Sequence, residues 1–299
     1  MSDPDSPIVD GLVTGSHGRQ YLVELPGGET LTCFPRGKRS TVACGDRVGV
    51  LRTAAGQGVI ESIGPRSSFL YRSDQYRQKL LAANVTQIVV VLAAVPSFYE
   101  ELLNRCLVAA EDQRIEALVV LNKCDMEAES AAARERLKLY ESLGYRVLAM
   151  SAKQDVEPLR PLLANHASVL VGQSGMGKST IVNALLPHAR VETAEFSEAL
   201  DSGRHTTTHA KLHHLDSGSM LIDSPGLQEF GLHHLGEQEI AAAFREFRPL
   251  LGSCRFHNCR HLVEPGCAIA QAVDQGRIDT TRLASYRRLA KEIEAGKAF

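Results

Sequence analysis

Residues 168–186 read SVLVGQSGMGKSTIVNALL. The apolar run Ser168–Val171 predicts a buried strand, and Thr180–Leu186 predicts an amphipathic helix. Between them Gly172, Gln173, Ser174, Gly175, Met176, Gly177, Lys178 and Ser179 satisfy G-x-x-x-x-G-K-[ST] in full. Glycine at these positions lets successive backbone N–H groups turn inward around phosphate oxygens. The helix N-terminus adds a favourable dipole. Lys178 neutralises β- and γ-phosphates, Ser179 holds Mg²⁺, and Thr180 continues the loop. A phosphate loop between a strand and a helix places the fold in the α/β class.

Working outward, other continuous apolar runs alternate with helical stretches. Gln87–Ala94 and Ala117–Leu121 predict strands buried on both faces, and Tyr145–Met150 predicts another. Helices are expected over Tyr99–Asp112 and about Glu129–Leu143. The pattern predicts a doubly wound parallel sheet. Asn122-Lys123-Cys124-Asp125 follows one strand as N-K-x-D. A carboxylate at Asp125 accepts two parallel hydrogen bonds from guanine N1–H and N2–H₂, which adenine does not offer. Lys123 is expected to lay its stem over the base. Asp125 is also expected to cap the following helix. Ser151-Ala152-Lys153 follows the next strand and supports the base through the Ala152 backbone. Asp223-Ser224-Pro225-Gly226 follows the strand Met220–Ile222 as D-x-x-G, with Asp223 reaching Mg²⁺ through water and the Gly226 N–H sensing the γ-phosphate.

Between the phosphate loop and D-x-x-G runs Ser202-Gly203-Arg204-His205-Thr206-Thr207-Thr208-His209. Thr208 leads Thr206 and Thr207 as the residue that closes over Mg²⁺. In ordinary GTPases the phosphate loop, the threonine and D-x-x-G precede N-K-x-D and S-A-K. Here the last two come first and the cyclic order is kept, so the domain is circularly permuted. D-x-x-G then leads straight into the C-terminal region, so nucleotide state is expected to move that region. Leu227 stands where many GTPases carry a water-orienting Gln, and a Leu does not polarise water. His233 and His234 follow and offer an imidazole for that task. Slow unaided hydrolysis, accelerated by a partner, is the expectation.

Residues 1–66 read as a small β-barrel, with an OB-fold leading: short strands separated by Pro26-Gly27-Gly28, Arg36-Gly37-Lys38 and Gly45-Asp46. Residues 67–235 form the permuted GTPase domain, and 236–299 a helical module, with helices expected over Gln238–Leu251, Cys267–Asp274 and Thr280–Ala295. That module is too small to build much core alone. Cys254-x(4)-Cys259-x-His261-x(5)-Cys267 supplies three thiolates and an imidazole, a closed tetrahedral set for one structural Zn²⁺, with His257 as a possible substitute for His261. Cys33, Cys44, Cys106 and Cys124 sit among apolar neighbours and read as small hydrophobes. The net charge of −2 argues against a histone-like polybasic protein, while Arg36, Lys38, Arg39 and Arg47 concentrate in the barrel and suit RNA phosphates. No run approaches a membrane span, and the acidic N-terminus lacks an apolar core, so a cytoplasmic protein is expected.

The motifs taken together resemble one family, the ribosome small-subunit-dependent GTPase A family (RsgA, also called YjeQ) of circularly permuted bacterial GTPases. The resemblance covers nearly the whole chain. It rests on Arg36–Arg39, Cys44–Val48, N-K-C-D, G-Q-S-G-M-G-K-S-T, G-R-H-T-T-T, D-S-P-G and the Cys/His cluster. It implies an OB-fold, a permuted GTPase domain binding GTP or GDP with Mg²⁺, and a zinc module. It implies a monomer that binds the small (30S) ribosomal subunit and its rRNA, assists its late maturation, and hydrolyses GTP when stimulated by it. It also implies that Asn122–Asp125 and Gly172–Thr180 bind GTP, that Cys254, Cys259, His261 and Cys267 bind zinc, and that His234 aids hydrolysis, with His233 standing where Trp is frequent. Two other functions fit part of the sequence: a P-loop kinase, which N-K-x-D and S-A-K disfavour, and a nucleotide-gated module for another RNA.

Overall fold

The computed structural model describes residues 7–37, 41–74, 77–186, 210–223, 231–232 and 234–297. Five strands open the chain: β1 (Val9–His17), β2 (Gln20–Glu24), β3 (Thr30–Pro35), β4 (Arg47–Ala54) and β5 (Gln57–Ile63). They pair as β1-β2-β3-β5-β4 and close through β1–β4, with β3 and β5 parallel and the other pairs antiparallel. This closed five-strand Greek key is the expected OB-fold. Inward-facing Val13, Tyr21, Val23, Leu31, Cys33, Val50 and Ile60 fill it. Asp46 is buried and accepts Ala43 N–H (2.8 Å) and both arms of Arg66 (2.7 Å each). A buried carboxylate without such partners is costly.

A hairpin of β6 (Phe69–Asp74) and β7 (Arg77–Ala83) follows, which the sequence patterns did not reveal. It meets the barrel at Gly45, whose φ of +90° and a Cβ position 2.2 Å from the Ala83 carbonyl oxygen admit only glycine. Ala83 N–H donates to the Cys44 carbonyl at 2.9 Å.

Beyond the hairpin come β8 (Gln87–Ala93), α1 (Glu100–Gln113), β9 (Glu116–Asn122), α2 (Glu127–Ser142), β10 (Arg146–Ala149), a short α3 (Arg160–Leu163) and β11 (Ala167–Val171). Then follow α4 (Lys178–Leu185), β12 (Lys211–His214) and β13 (Met220–Asp223). The order is β10-β9-β8-β11-β13-β12, parallel except for β12. The whole of β8 is buried, which is why its apolar run shows no alternation. The chain steps from β8 to β9 to β10, then returns to the other flank of β8 as β11. Ligands bind α/β sheets at such a switch point, outside the carboxyl ends of the strands.

The sheet does not stop at β12. Gly15 of β1 pairs with Lys211, Ser16 N–H donates to the Ala210 carbonyl (3.3 Å), and His214 Nε2 meets Glu24 Oε2 at 3.0 Å. Barrel and GTPase domain therefore share one hydrogen-bonded sheet of eleven strands among the described residues. His213 lies in this seam. Burial, with Lys211 and His214 nearby, lowers its pKa from 6.5 to about 4. The unfolded chain therefore takes up a proton that the folded one refuses, so stability falls as pH drops from about 6.5 to about 4. Urea unfolding across this window is expected to show the loss, and His213→Gln to flatten it.

The C-terminal module holds α5 (Glu237–Ala243), a 3-10 turn (Arg245–Leu250), the Cys/His loop, α6 (Ala268–Asp274) and α7 (Thr280–Lys297). The single helix expected over Gln238–Leu251 is interrupted: Phe244 is extended (φ −84°, ψ 105°), and Pro249 has no N–H to continue a ladder. Phe244, Phe247 and Tyr286 pack as an aromatic core, with centroids 5.0 to 5.6 Å apart. Beneath it Arg282, 1% exposed, pairs with Glu246 at 2.6 Å and donates to Asn104 of α1, which also accepts Tyr140 O–H (3.1 Å). This fastens the module to α1 and α2. Residues 224–230, through which D-x-x-G is expected to reach this module, lie outside the described residues. Arg282→Ala leaves Glu246 buried and unpaired and is expected to cost about 3–5 kcal/mol in chemical denaturation. The Arg282→Met, Glu246→Leu double variant, which leaves no charge behind, is expected to cost much less.

Candidate nucleotide-binding site

The phosphate loop leaves the carboxyl end of β11 at the switch point. A Cβ at Gly172 would lie 2.3 Å from the Val91 carbonyl oxygen. Gly177 has φ +93°, and a Cβ there would lie 2.3 Å from Asn122 Nδ2. Both glycines let neighbouring strands close around the loop. Lys178 opens α4, and its Nζ donates to the carbonyls of Gly172 (2.5 Å) and Gln173 (2.8 Å). Burial pushes the Lys178 ammonium below its ordinary pKa and the Asp223 carboxyl above its own, and each charge opposes the other's shift. Asp223, at the end of β13, thus lies within electrostatic reach of the loop lysine. Ser174, Gly175, Ser179 and Thr180 are exposed around the loop mouth, while Met176 is buried beneath it.

Asn122 joins three motifs. Its Nδ2 donates to the Met176 carbonyl (2.9 Å), and its Oδ1 accepts Ala152 N–H (2.9 Å). The N-K-x-D loop, the S-A-K loop and the phosphate loop are thus one hydrogen-bonded unit. Asp125 is exposed, and Ser151 Oγ donates to its Oδ1 at 2.6 Å. That bond first, then Lys153 and Lys123, hold its pKa below the usual carboxylate value, so it stays ionised. Cys124 N–H donates to the Met150 carbonyl (3.1 Å), which pins the loop's middle residue. Asp125 does not cap the next helix: α2 begins at Glu127 with Met126 as its N-cap, and the carboxylate is turned to Ser151 instead. Lys123 adopts φ +64° and donates from Nζ to the Val95 carbonyl (2.8 Å). Sequence patterns do not reveal Val95, since a backbone acceptor leaves no residue-type signal.

Thr208, Gly226 and His233 lie outside the described residues. His234 is described, and it does not stand over the phosphate loop. Its Nε2 lies 3.6 Å from Asp112, and its ring packs 5.5 Å from that of Tyr71. Asp112 is twelve residues beyond Glu100, about 18 Å along α1 at the far end of the sheet. In this arrangement the imidazole expected to position water is instead held by the α1 carboxylate and the hairpin tyrosine. A polar cleft of about 510 Å³, lined by Glu111, Arg114, Glu116, Arg245 and Arg248, opens at that same far end and shares no residue with the nucleotide loops.

In the C-terminal module the ligand atoms of Cys254, Cys259, His261 and Cys267 all lie within 4.8 Å of one another. His261 Nδ1 is 3.5 Å from Cys254 Sγ and 3.4 Å from Cys267 Sγ. A tetrahedral ion with ordinary Zn–S and Zn–N bonds sets S···N edges of about 3.5 Å. The four residues therefore fit zinc, and His257 is not among them. His261 adopts φ +60°, a strained turn that brings Nδ1 inward.

The sequence profile described as RsgA GTPase matches residues 63–233. The chain belongs to the RsgA GTPase family. It is 53% identical over 292 residues to the small ribosomal subunit biogenesis GTPase RsgA of Nitrosospira multiformis, covering 98% of this chain and 93% of that protein. It is 55% identical over 287 residues to the like-named protein of Burkholderia pseudomallei, covering 94% and 91%. Among solved structures it matches YjeQ from Thermotoga maritima with a TM-score of 0.73 at 29% identity, over 96% of this chain and 98% of that one. It also matches YloQ, described as a circularly permuted GTPase, with a TM-score of 0.71 at 27% identity and 96% coverage of both chains. The RsgA GTPase relationship accounts for the permuted motif order. No described helix is long and apolar enough to cross a membrane.

Proposed function

We propose that this GTPase acts on the small ribosomal subunit during its late maturation, and that the subunit accelerates GTP hydrolysis. The observation that carries the nucleotide reading is Asn122, which ties the guanine loop, the S-A-K loop and the phosphate loop together. The names of the close relatives support the ribosomal target. In this reading Asn122, Lys123, Asp125, Ser151 and Ala152 select guanine, while Gly172–Thr180 hold the phosphates. Ser179, Thr208 and Asp223 serve Mg²⁺, and Gly226 senses the γ-phosphate. Cys254, Cys259, His261 and Cys267 hold one zinc ion that staples the module. Residues 1–66 and 236–299 grip rRNA, and 67–235 time release. The protein works as a cytoplasmic monomer. With Leu227 after D-x-x-G and His234 held by Asp112, unaided turnover is slow, and the subunit supplies or frees the group that orients water.

The test is GTP turnover with and without purified small subunits, alongside ATP. Strong stimulation confined to GTP is expected. Equal turnover in the two conditions removes the ribosomal role and leaves the nucleotide chemistry standing.

A further inference from the structure

Gln173 fills a variable position of the phosphate loop, and phosphate binding makes no demand on its side chain. Both of its ends are nevertheless engaged. Its carbonyl accepts the Lys178 ammonium at 2.8 Å. Its Oε1 accepts the N–H of Tyr99 at 2.9 Å. Tyr99 is the N-cap of α1, and its own side chain makes no capping bond. Gln173 thus fixes the start of a helix that belongs to a different part of the chain. The connector before α1 is held on the same side: a Cβ at Gly175 would meet Pro96 at 3.3 Å, and the Val95 carbonyl accepts Lys123.

Along its length α1 carries the C-terminal module. Asn104 bonds Arg282 and Ser285, Arg105 meets Glu292 (2.5 Å), Glu101 meets Arg288 (2.8 Å), and Glu111 takes both Arg245 (2.6 Å) and Arg248 (2.5 Å). Exposed pairs contribute little each. The buried Asn104–Arg282 contact is the anchor, because breaking it strands polar groups inside the protein. The opposite face of α1, with Leu103, Cys106, Leu107 and Ala110, is buried against the sheet. A helix packed on both sides shifts as a unit and does not bend locally.

We infer that Gln173 is a positioning residue that couples the phosphate loop to the zinc module through α1. The inference rests on the reading that this loop holds the phosphates of GTP. Phosphate oxygens that draw Lys178 toward themselves release the carbonyls of Gly172 and Gln173. The freed peptide turns, and its side chain carries the turn to Tyr99 and so to α1. Coupling of this kind is reciprocal: whatever grips the zinc module also changes nucleotide affinity.

The test uses the full zinc-loaded chain, hydrogen exchange read by mass spectrometry, and GDP, with bound fraction followed by a fluorescent GDP analogue. In the wild type, GDP is expected to slow amide exchange in α1 and α7 about fivefold or more. Gln173→Met keeps the length and removes the acceptor. Tyr99→Pro removes the donor, at a residue whose φ of −96° is extended and outside the nucleotide loops. At saturating GDP the α7 response is expected to fall below about twofold in both variants, and Tyr99→Pro, which lies outside the nucleotide loops, is expected to keep full protection in the phosphate loop. An α7 that ignores GDP in the wild type, or that responds fully in either variant, overturns the inference. If GDP does not bind the wild type, the reading of the loop fails, and the coupling with it.

Discussion

Asp125→Asn lowers affinity for GTP by about 10⁴-fold and transfers the preference to xanthosine triphosphate. A carboxylate is an acceptor only, and guanine N1–H and N2–H₂ present it with two donors side by side. The amide keeps one acceptor but turns a donor toward N2–H₂, so two donors collide. Xanthine carries a carbonyl where guanine carries the amino group, which restores the pairing. Ser151 Oγ, 2.6 Å from Asp125 Oδ1, fixes the orientation of the group in either variant. Because the same bond holds the Asp125 carboxyl below its ordinary pKa, wild-type GTP affinity is expected to stay flat from neutral pH down to about pH 5. Competition between the two triphosphates, measured by calorimetry, decides the matter. An Asn variant that keeps wild-type GTP affinity shows that the base is read elsewhere.

Cys267→Ala abolishes zinc binding and unfolds the loop between the 3-10 turn and α6. Structural zinc sites contribute roughly 10–16 kcal/mol of apparent binding energy, which is folding energy when the site does not exist in the unfolded chain. Cys267 is also the N-cap of α6, and Cys254 Sγ accepts Ala268 N–H at 3.3 Å, so metal and helix start share atoms. Metal analysis is expected to fall from one zinc per chain to none, and exchange protection of α6 is expected to vanish. The end of α7 near Arg282 retains protection, because the contact with Asn104 is independent of the metal. His257→Ala changes neither quantity, since this exposed residue lies outside the ligand cluster. Loss of zinc in the His257 variant instead would move the ligand set.

Much of this site was legible in the sequence because its parts are local. A phosphate loop needs glycines at fixed spacing for steric reasons, and it sits between a strand and a helix whose patterns are plain. The buried strands were equally plain, since burial on both faces leaves an unbroken apolar run, as in β8. The hairpin β6–β7 was not, because Arg72, Lys79 and neighbouring polar residues dilute any alternation. Strand β12 was missed for a similar reason: KLHH has no strand signature, and its place is set by pairing with β13 and β1. The spacing pointed to His261 with His257 in reserve, and the fold buries the first in the ligand cluster and exposes the second. His234 marks the other limit. A residue's neighbour along the chain was D-x-x-G, whereas its neighbour in space is Asp112 at the far end of a helix.

The shared sheet has a further meaning. One rim of the GTPase domain is sewn to the barrel by main-chain bonds through β12 and β1, and one of its helices is bolted to the zinc module by a buried arginine. The two outer bodies are therefore the jaws of a caliper, with the nucleotide domain as its frame. If the barrel and the zinc module both hold rRNA, as proposed, the frame sets the spacing of the two footholds, and a shift of α1 with nucleotide state resets it.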